Sequence, residues 1–229
     1  RNLGIAAGGT VMEDCRVLEA CREGKYTSVL VQTHDKKYVE YRTEHFVNAL
    51  GSGAGKLCDS MGIDAGLYPV RHQAFITRRL PMLGKHGTNL DMLIDRQDYK
   101  GFSAVYGQQI AYTGQIIGCA SPKLDAMRID KNLKVNTKAF LEIVSEMFSE
   151  WIPDLAGVGI QAVWAGYYTE PRYIVDPELG LFVGMRGHGF MLSQYIARMY
   201  VDKLLGRPVP EYFEKLKLNG PGLSEKAFK

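Results

Sequence analysis

The chain has 229 residues, of which 46% are hydrophobic and 23% are charged, and its net charge at pH 7 is +3. This composition is typical of one large globular domain or two small ones. No stretch of about 18 apolar residues predicts a membrane span. No run of Lys and Arg reaches about five residues, the length typical of basic nucleic-acid-binding patches, so a nucleic-acid partner is not indicated. The four cysteines, Cys15, Cys21, Cys58 and Cys119, match no zinc-binding spacing. A chain of this size does not indicate a disulfide framework, so we expect reduced thiols in a cytoplasmic protein.

The first half of the chain is rich in strand signals. β-Branched and aromatic residues predict strands at 26–33, 37–41, 44–50 and 67–78. A short helix is predicted over 54–62, where Gly62 ends it. After a loop-like stretch at 79–88, three further strand candidates are 90–95, 101–106 and 110–118.

The second half contains two amphipathic helices. Residues 119–135 look irregular and charged, and Asn136 or Thr137 can cap a helix that runs through Trp151. Strands are predicted at 160–168 and 179–184, a long helix at 189–206 and an extended end from 217. Because strands occur in runs with few strand–helix–strand alternations, the sequence predicts an α+β fold with a mixed, largely antiparallel sheet.

The stretch FVNALGSGAGKLC, 46–58, ends an apolar run in a glycine-rich turn before a helix. A P-loop needs four residues between its glycines and a Ser or Thr after the lysine, but here only three separate Gly51 from Gly55 and Leu57 follows Lys56. A dinucleotide fingerprint needs a third glycine where Lys56 stands. On these residues alone, a strand-to-helix turn that uses glycines for its dihedral angles is favoured.

Four stretches resemble one known family. They are GTVMEDCRVLEA with the following SVLVQTHDKKYVEYRTEHFVNALGSGAGKLCDSMGI, LYPVRHQAFITRRLP (similar to P-x-R-G-Q-x-x-x-T), WIPDLAGVGIQAVWAGYYT (similar to FP-x-L…WAG) and GLFVGMRGHGFMLSQYIARMYVDKLLG (similar to G-x-x-G-H-G-F-x-x-A). In this order they resemble the C-terminal part of the FAD-dependent oxidoreductases of the D-amino-acid oxidase, glycine oxidase and sarcosine oxidase superfamily.

The resemblance implies a domain plan. Residues 1–66 would be part of an FAD-binding domain, 67–160 a substrate-binding sheet domain with a helix, 161–207 flavin-contacting strands with the C-terminal helix, and 208–229 a tail. It also implies FAD as cofactor and a small amine or amino acid as substrate. The GxGxxG segment that cradles the FAD pyrophosphate would lie upstream, on a missing N-terminal segment or on a second polypeptide.

The resemblance also implies site residues. Those expected to bind the cofactor are Val17, Asn48, Ala49, Gly51, Gly184, Arg186, Gly187, His188, Gly189, Phe190 and Met191. The turn that contains His188 would stabilise negative charge on the reduced flavin through the N-terminus of the long helix. Tyr168 and His188 are the catalytic candidates, although His188 is not assigned as a base. No metal ligand is expected.

The substrate contacts expected from the resemblance are Tyr106, Tyr112, Tyr168 and Arg172. Tyr168 stands where amino-acid oxidases of the group often have the arginine that binds the substrate carboxylate. The carboxylate partner is therefore another arginine, such as Arg172, Arg71 or Arg96, or the substrate has no simple α-carboxylate. The function implied is oxidation of a C–N bond by hydride transfer to flavin. The alternatives are a non-catalytic partner subunit or isolated module that binds no flavin alone, and a small nucleotide-binding protein that uses GSGAGK.

Overall fold

In the computed structural model, the chain divides into two compact units. The first unit contains Arg1–Leu67 and Thr169–Lys229, and the second contains Tyr68–Tyr168. The structure describes residues 2–84, 87, 89–97, 102–122, 137–153 and 156–222. The irregular stretch expected at 119–135 and the helix cap expected at Asn136 lie mostly or wholly outside these residues.

The first unit begins with a three-stranded antiparallel meander. After the short helix α1, Asn2–Ala6, the strands are β1, Arg16–Glu23, β2, Tyr26–Gln32, and β3, Tyr38–Thr43. The predicted strands at 26–33 and 37–41 are confirmed as β2 and β3. The residue pattern did not predict β1, whose only buried residue is Ala20, because a mostly exposed strand lacks the alternation of apolar and polar residues.

Helix α2, Ala54–Ser60, packs against two groups of strands. Leu57 contacts the meander residues Ala20, Val29 and Val31. Ala54 and Cys58 pack against the antiparallel hairpin of β9, Ile174–Asp176, and β10, Leu181–Val183. Because residues three and four positions apart share a helix face, one buried face of α2 contacts both the meander and the hairpin.

The predicted strand at 44–50 is wrong as a continuous strand. Its only ladder contact among the described residues is an isolated parallel bridge between Asn48 and Leu181. The Asn48 N–H donates to Gly180 O at 2.7 Å, and Phe182 N–H donates to Asn48 O at 3.0 Å. A β-rich sequence forms an extended ladder only when a neighbouring strand supplies hydrogen bonds along its length, and β10 reaches only one residue of this segment.

Helix α4, Gly189–Leu204, closes the core of the first unit. Its buried residues Ile196, Met199 and Tyr200 pack against Tyr173 and Val175. The same cluster contains Phe213 and Leu216, which lie in a 3-10 helix, Glu211–Leu216. The folded core therefore includes residues 211–216, which the sequence analysis placed in a tail, because their two apolar side chains are fully buried.

The second unit is built on a five-stranded sheet. Its strand order is β5-β6-β7-β4-β8. The strands are β4, Tyr68–Thr77, β5, Leu93–Asp95, β6, Phe102–Gln109, β7, Ile116–Pro122, and β8, Ile160–Glu170, the last of which ends beyond the unit boundary. The described pairs β4–β7, β5–β6 and β6–β7 are antiparallel. The α+β fold with largely antiparallel sheets is confirmed.

Helix α3, Thr137–Trp151, covers one face of this sheet. Its residues Phe140, Ile143, Val144, Met147 and Phe148 are all buried in one cluster with Phe75 and Val105 of the sheet. The Phe75 and Phe148 rings meet edge to face at 5.5 Å. Each such side chain contributes about 1.5–3 kcal/mol through burial, so this face is the core of the second unit.

The strand expected at 110–118 was wrong in position. Strand β7 begins only at Ile116, and the preceding residues form the turn that joins it to β6. Tyr112 and Gly114 in this turn have φ values of +70° and +69°. A left-handed backbone at two nearby positions reverses the chain, although β-branched and aromatic residues on both sides give the stretch a strand-like composition.

Candidate flavin and substrate site

In the first unit, the turn between β10 and α4 requires glycine at its first position. Gly184 has a φ of +70°, and a Cβ atom added there would lie 1.9 Å from the carbonyl oxygen of Arg172. The two backbone segments lie too close together for any side chain at this position, so only glycine is accommodated. Gly184 therefore fixes where the chain leaves β10 and enters the turn.

Two side-chain contacts hold the middle of the same turn. The Arg186 Nε donates a hydrogen bond to Glu170 Oε2 at 2.6 Å, and Arg186 itself has a left-handed φ of +49°. The Tyr173 hydroxyl lies 2.7 Å from Nδ1 of His188. Both partners, Glu170 and Tyr173, lie on the segment before β9. The turn is thus tied to a neighbouring part of its own unit through the residues on either side of Gly187.

The N-terminus of α4 presents apolar side chains to the outside of the first unit. The helix begins at Gly189. The side chain of its N-cap residue, His188, does not form a capping hydrogen bond with the first turn. Phe190 is 98% exposed and Met191 is 67% exposed. The first N–H groups of a helix lack intrahelical partners and lie at the positive end of its dipole. This end of α4 can therefore bind an anionic or electron-rich planar group that also covers Phe190 and Met191.

A second opening in the first unit lies between β1 and α2. It is a cleft of about 330 Å³, lined by Cys15, Arg16, Val17, Leu18, Leu50, Gly53, Lys56 and Leu57. It includes Val17, and Leu50 lies between the predicted cofactor residues Ala49 and Gly51. Its apolar walls and the basic residues Arg16 and Lys56 suit a planar heterocycle joined to phosphate.

The side chain of Asn48 forms hydrogen bonds within the first unit. Its side-chain amide donates to Ala54 O at 3.0 Å and approaches the Cys58 sulfur at 3.5 Å, while its carbonyl oxygen accepts from the Leu50 N–H at 3.2 Å. It is almost fully buried. Asn48 therefore shapes the turn that precedes α2, and its role in cofactor binding stays a prediction.

The glycine-rich turn itself has a simple geometry. Gly51 has a φ of +55° and begins a 3-10 helix, Gly51–Gly53, that leads directly into α2. Lys56 is exposed in the first turn of α2. The segment is a glycine turn that leads into α2, in which Gly51 supplies the left-handed residue, as the residue pattern favoured, but only the isolated bridge at Asn48 stands in place of the strand expected before it.

In the second unit, four side chains lie together on the sheet face opposite α3. Cys119 pairs with both Tyr106 and Ala74 in the ladder, so these side chains share one face. The rings of His72 and Tyr168 are stacked, with centroids 3.9 Å apart and planes 27° apart. Tyr106 shares hydrogen bonds with Cys119 and Tyr168. The structure thus brings the predicted Tyr106 and Tyr168 together.

Burial controls the ionisation of this group. It lowers the pKa of His72 from 6.5 to about 4. Burial, followed by the nearby Cys119, raises the pKa of Tyr106 well above its usual value, and burial also raises the pKa of the Cys119 thiol. All three groups are consequently neutral at pH 7, because burial penalises the charged form of each.

Tyr112 lies outside this group, and Arg172 belongs to the other unit. Tyr112 is 82% exposed in the turn between β6 and β7. Arg172 belongs to the first unit, where its guanidinium donates to the backbone oxygens of Leu218 and Gly220. Their predicted substrate contacts stay predictions.

His72 and Cys119 were not predicted as members of this group. His72 stands where the quoted P-x-R-G-Q pattern has glycine, and this departure was a usable signal. Cys119 had no local signal, because only the register of β6 with β7 places it beside Tyr106.

Comparison with known proteins identifies the family. The model of the family named DAO, FAD dependent oxidoreductase, matches residues 2–203. The chain belongs to this family. Solved structures of other proteins also resemble the chain, whereas the comparison with curated proteins gives no match.

Three solved structures illustrate the likeness. Glycine oxidase from Geobacillus kaustophilus has a TM-score of 0.69 at 18% identity over 94% of this chain and 54% of that one. L-proline dehydrogenase from P. horikoshii has a TM-score of 0.69 at 25% identity over 93% and 55%. Iminodiacetate oxidase from Chelativorans sp. BNC1 has a TM-score of 0.68 at 15% identity over 97% and 57%. The chain therefore spans about half the length of these relatives.

The described part of the chain has neither a metal-binding cluster nor a membrane-spanning helix. No group of three or more His, Cys, Asp or Glu side chains there could hold a metal ion. No described helix is both long and apolar enough to cross a membrane. All four cysteines are free thiols.

Proposed function

We propose that this chain supplies the flavin-contacting and substrate-binding parts of an FAD-dependent oxidoreductase that oxidises a C–N bond of a small amine or amino acid. The observation that carries the proposal is the turn from Gly184 to Gly189 together with the start of α4 that follows it. Phe190 and Met191 form an exposed apolar surface there, beside the positive end of the helix dipole. Membership of the FAD dependent oxidoreductase family supports it.

The first unit offers residues that fit FAD. The cleft beside Val17 and Lys56 suits the adenosine and phosphate portion, and the N-terminus of α4 suits the ring portion. When bound, FAD would supply the acceptor for a hydride from the carbon next to the nitrogen, and the imine left behind would be hydrolysed by water. The N–H groups at Gly189 and Phe190 stabilise negative charge that develops near them.

The second unit offers the substrate-binding face. Tyr106 and Tyr168 present hydroxyl groups from one side of the sheet, and a substrate held there loses its freedom to tumble, which lowers the barrier to transfer. Tyr168 and His188 are the catalytic candidates. The contact of His188 with Tyr173 suits a role in orienting the turn, and the substrate contacts of Arg172 and Tyr112 are part of the proposal.

A second polypeptide or a preceding segment that carries GxGxxG would complete the flavin site. The edge at Val47 and Ala49 supports this proposal. Val47 and Ala49 form no backbone hydrogen bond with any residue that the structure describes, whereas Asn48 between them pairs with β10. Successive residues of an extended segment direct their hydrogen bonds to opposite sides, so this edge can accept one more strand.

The test is the visible absorbance of the purified chain, alone and co-expressed with a segment that carries GxGxxG. Flavin bands in the co-expressed sample support the proposal. Their absence from both samples supports the alternative, a module that binds no flavin.

The role of the α4 N-terminus is tested in the flavin-loaded complex by Gly189→Asp, with Gly189→Asn as the matched control. A Cβ atom at Gly189 would lie 2.9 Å from Met185 Cβ, so both variants introduce the same crowding. Only the aspartate adds a negative charge, and we expect flavin reduction to slow at least tenfold more in Gly189→Asp, which corresponds to about 1.4 kcal/mol. Equal rates in the two variants would remove the electrostatic role.

A further inference from the structure

The turn that leads into α4 has a charged residue at a position that usually takes glycine. Arg186 has a left-handed φ of +49°. A non-glycine residue in this conformation is uncommon, because its Cβ atom crowds the backbone. Glycine is used at Gly184, Gly187 and Gly189 in the same turn, yet the left-handed position between them is an arginine. The guanidinium of Arg186 therefore supplies something that glycine would not.

This guanidinium is held by the Glu170 carboxylate. The Arg186 Nε donates a hydrogen bond to Glu170 Oε2 at 2.6 Å, and the two side chains are only 24% and 16% exposed. Hydrogen bonds between ionised groups are shorter and stronger than those between neutral groups. Glu170 is the last residue of β8, and both residues belong to the first unit. The bond thus fixes where the positive charge of Arg186 lies relative to its own turn.

The residues on both sides of Arg186 are anchored to the core of the first unit. Met185 packs against the hydrophobic cluster that contains Tyr173. The Tyr173 hydroxyl lies 2.7 Å from Nδ1 of His188. Groups that are supported by packed neighbours keep their positions more closely than groups on mobile loops. The fold therefore sets the distance from the Arg186–Glu170 pair to any group that binds at the start of α4.

Two sources of positive potential lie at this turn. One is the N-terminus of α4, whose first N–H groups lack intrahelical partners. The other is the Arg186 guanidinium, whose charge is offset by the Glu170 carboxylate. Charges interact more strongly in a largely buried environment than in water. Removing either member of the pair therefore changes the electrostatic potential at the start of α4, and the two removals change it in opposite directions.

We propose that Glu170 is a positioning residue that lowers the reduction potential of FAD at the start of α4 by holding and neutralising the Arg186 guanidinium. This inference rests on the proposed function, in which the ring portion of FAD lies at this turn. Two-electron reduction adds negative charge to a flavin, so nearby positive charge favours the reduced form and nearby negative charge favours the oxidised form. Glu170 acts through the field of its charge, without contact with the ring or the substrate.

The experiment measures the reduction potential of FAD in the co-expressed complex at pH 8, by equilibration with a redox dye during slow reduction by xanthine and xanthine oxidase. In Glu170→Gln we expect the equilibrium to shift about tenfold toward reduced FAD, which is a rise of about 30 mV for a two-electron couple. In Arg186→Gln we expect a shift of about tenfold in the opposite direction. The double variant, which has neither charge, should return close to the original potential.

Two further variants separate charge from packing. Glu170→Asp keeps the carboxylate, so its potential should lie closer to the original than that of Glu170→Gln. Glu44→Gln makes the same change in net charge at an exposed pair with Lys25, where solvent screens the charge, and it should leave the potential unchanged. Circular dichroism and the FAD content of each complex confirm that a variant is folded and loaded before its potential is compared.

The signs of the shifts decide the outcome. A loss of packing alone would move both single variants in the same direction, so shifts of equal sign, or no shift in either variant, overturn the inference and leave the proposed function intact. A shift in Glu44→Gln as large as that in Glu170→Gln overturns it as well. If Glu170→Gln does not fold, the double variant decides, since its potential must lie above that of Arg186→Gln. Absence of FAD from the original complex overturns both the inference and the proposed function.

Discussion

Arg186 donates a hydrogen bond from Nε to Glu170 Oε2 at 2.6 Å, and the two side chains are only 24% and 16% exposed. Replacing Glu170 with Gln removes the negative charge and leaves a largely buried guanidinium beside a neutral amide. Because an uncompensated charge is costly away from water, we expect the free energy of unfolding to fall by about 1–3 kcal/mol. Urea unfolding followed by circular dichroism measures this loss.

The matched control for this prediction is Glu44→Gln. Glu44 pairs with Lys25 at 2.8 Å on the surface of the meander, where the side chains are 52% and 70% exposed. Solvent screens such pairs, so we expect no measurable change in the unfolding midpoint. A loss in Glu44→Gln as large as that in Glu170→Gln would show that the burial of the Arg186 pair is not what matters.

Two glycines with nearly the same backbone conformation give a second prediction. Gly184 and Gly206 have φ values of +70° and +68°, but an added Cβ atom would collide with Arg172 O only at Gly184 and would meet nothing within 4 Å at Gly206. Gly206→Ala should cost about 1–2 kcal/mol through its dihedral angle alone. Gly184→Ala should cost about 1–3 kcal/mol more because of the clash. Thermal unfolding of both variants checks this, and equal losses would contradict the close approach.

Local sequence patterns predicted the elements whose buried faces follow one period. Strands β2 and β4 are rich in β-branched and aromatic residues, and α3 and α4 place apolar residues three and four positions apart, so each was expected close to where it lies. These signals need no partner to be visible. The α+β fold class followed from their order, and the resemblance in four stretches predicted the family.

Other features depend on contacts distant in the chain. Residues 44–50 have a strand-like composition, yet only Asn48 meets a neighbouring strand. Phe213 and Leu216 lie beyond the proline-rich end of α4 and become core residues only because Tyr173 and Met199 form a hydrophobic cluster that receives them. In the candidate site, the stack of His72 on Tyr168 joins residues 96 positions apart, and no spacing rule predicts such a contact.

The ionisation of His72 predicts how stability depends on pH. Its pKa in the folded protein is about 4, below the ordinary value of 6.5, because burial disfavours the imidazolium. Between these values the unfolded chain binds a proton that the folded protein does not bind, so stability is complete above about pH 6.5 and is lost as the pH falls toward 4. We expect His72 to account for a loss of about 2–3 kcal/mol over this range.

Urea unfolding of His72→Phe at pH 7 and pH 4.5 tests this dependence. The variant has no imidazole at this position and should lose less stability on acidification than the original chain. His34→Gln is the control, since His34 is exposed in the turn between β2 and β3. If His34→Gln and His72→Phe reduce the acid loss equally, the burial of His72 is not its cause.

Phe190 and Phe213 give a prediction that separates function from folding. Phe213 is fully buried under α4, and replacing it with Ser should lower the free energy of unfolding by about 3–5 kcal/mol. Phe190 is 98% exposed at the start of the same helix, so Phe190→Ser should leave unfolding of the isolated chain unchanged. In the flavin-loaded complex the same variant should retain less FAD after gel filtration, because it removes apolar area where the ring is proposed to bind. If Phe190→Ser retained FAD fully, the exposure of Phe190 would have another cause and the ring portion would lie elsewhere on the first unit.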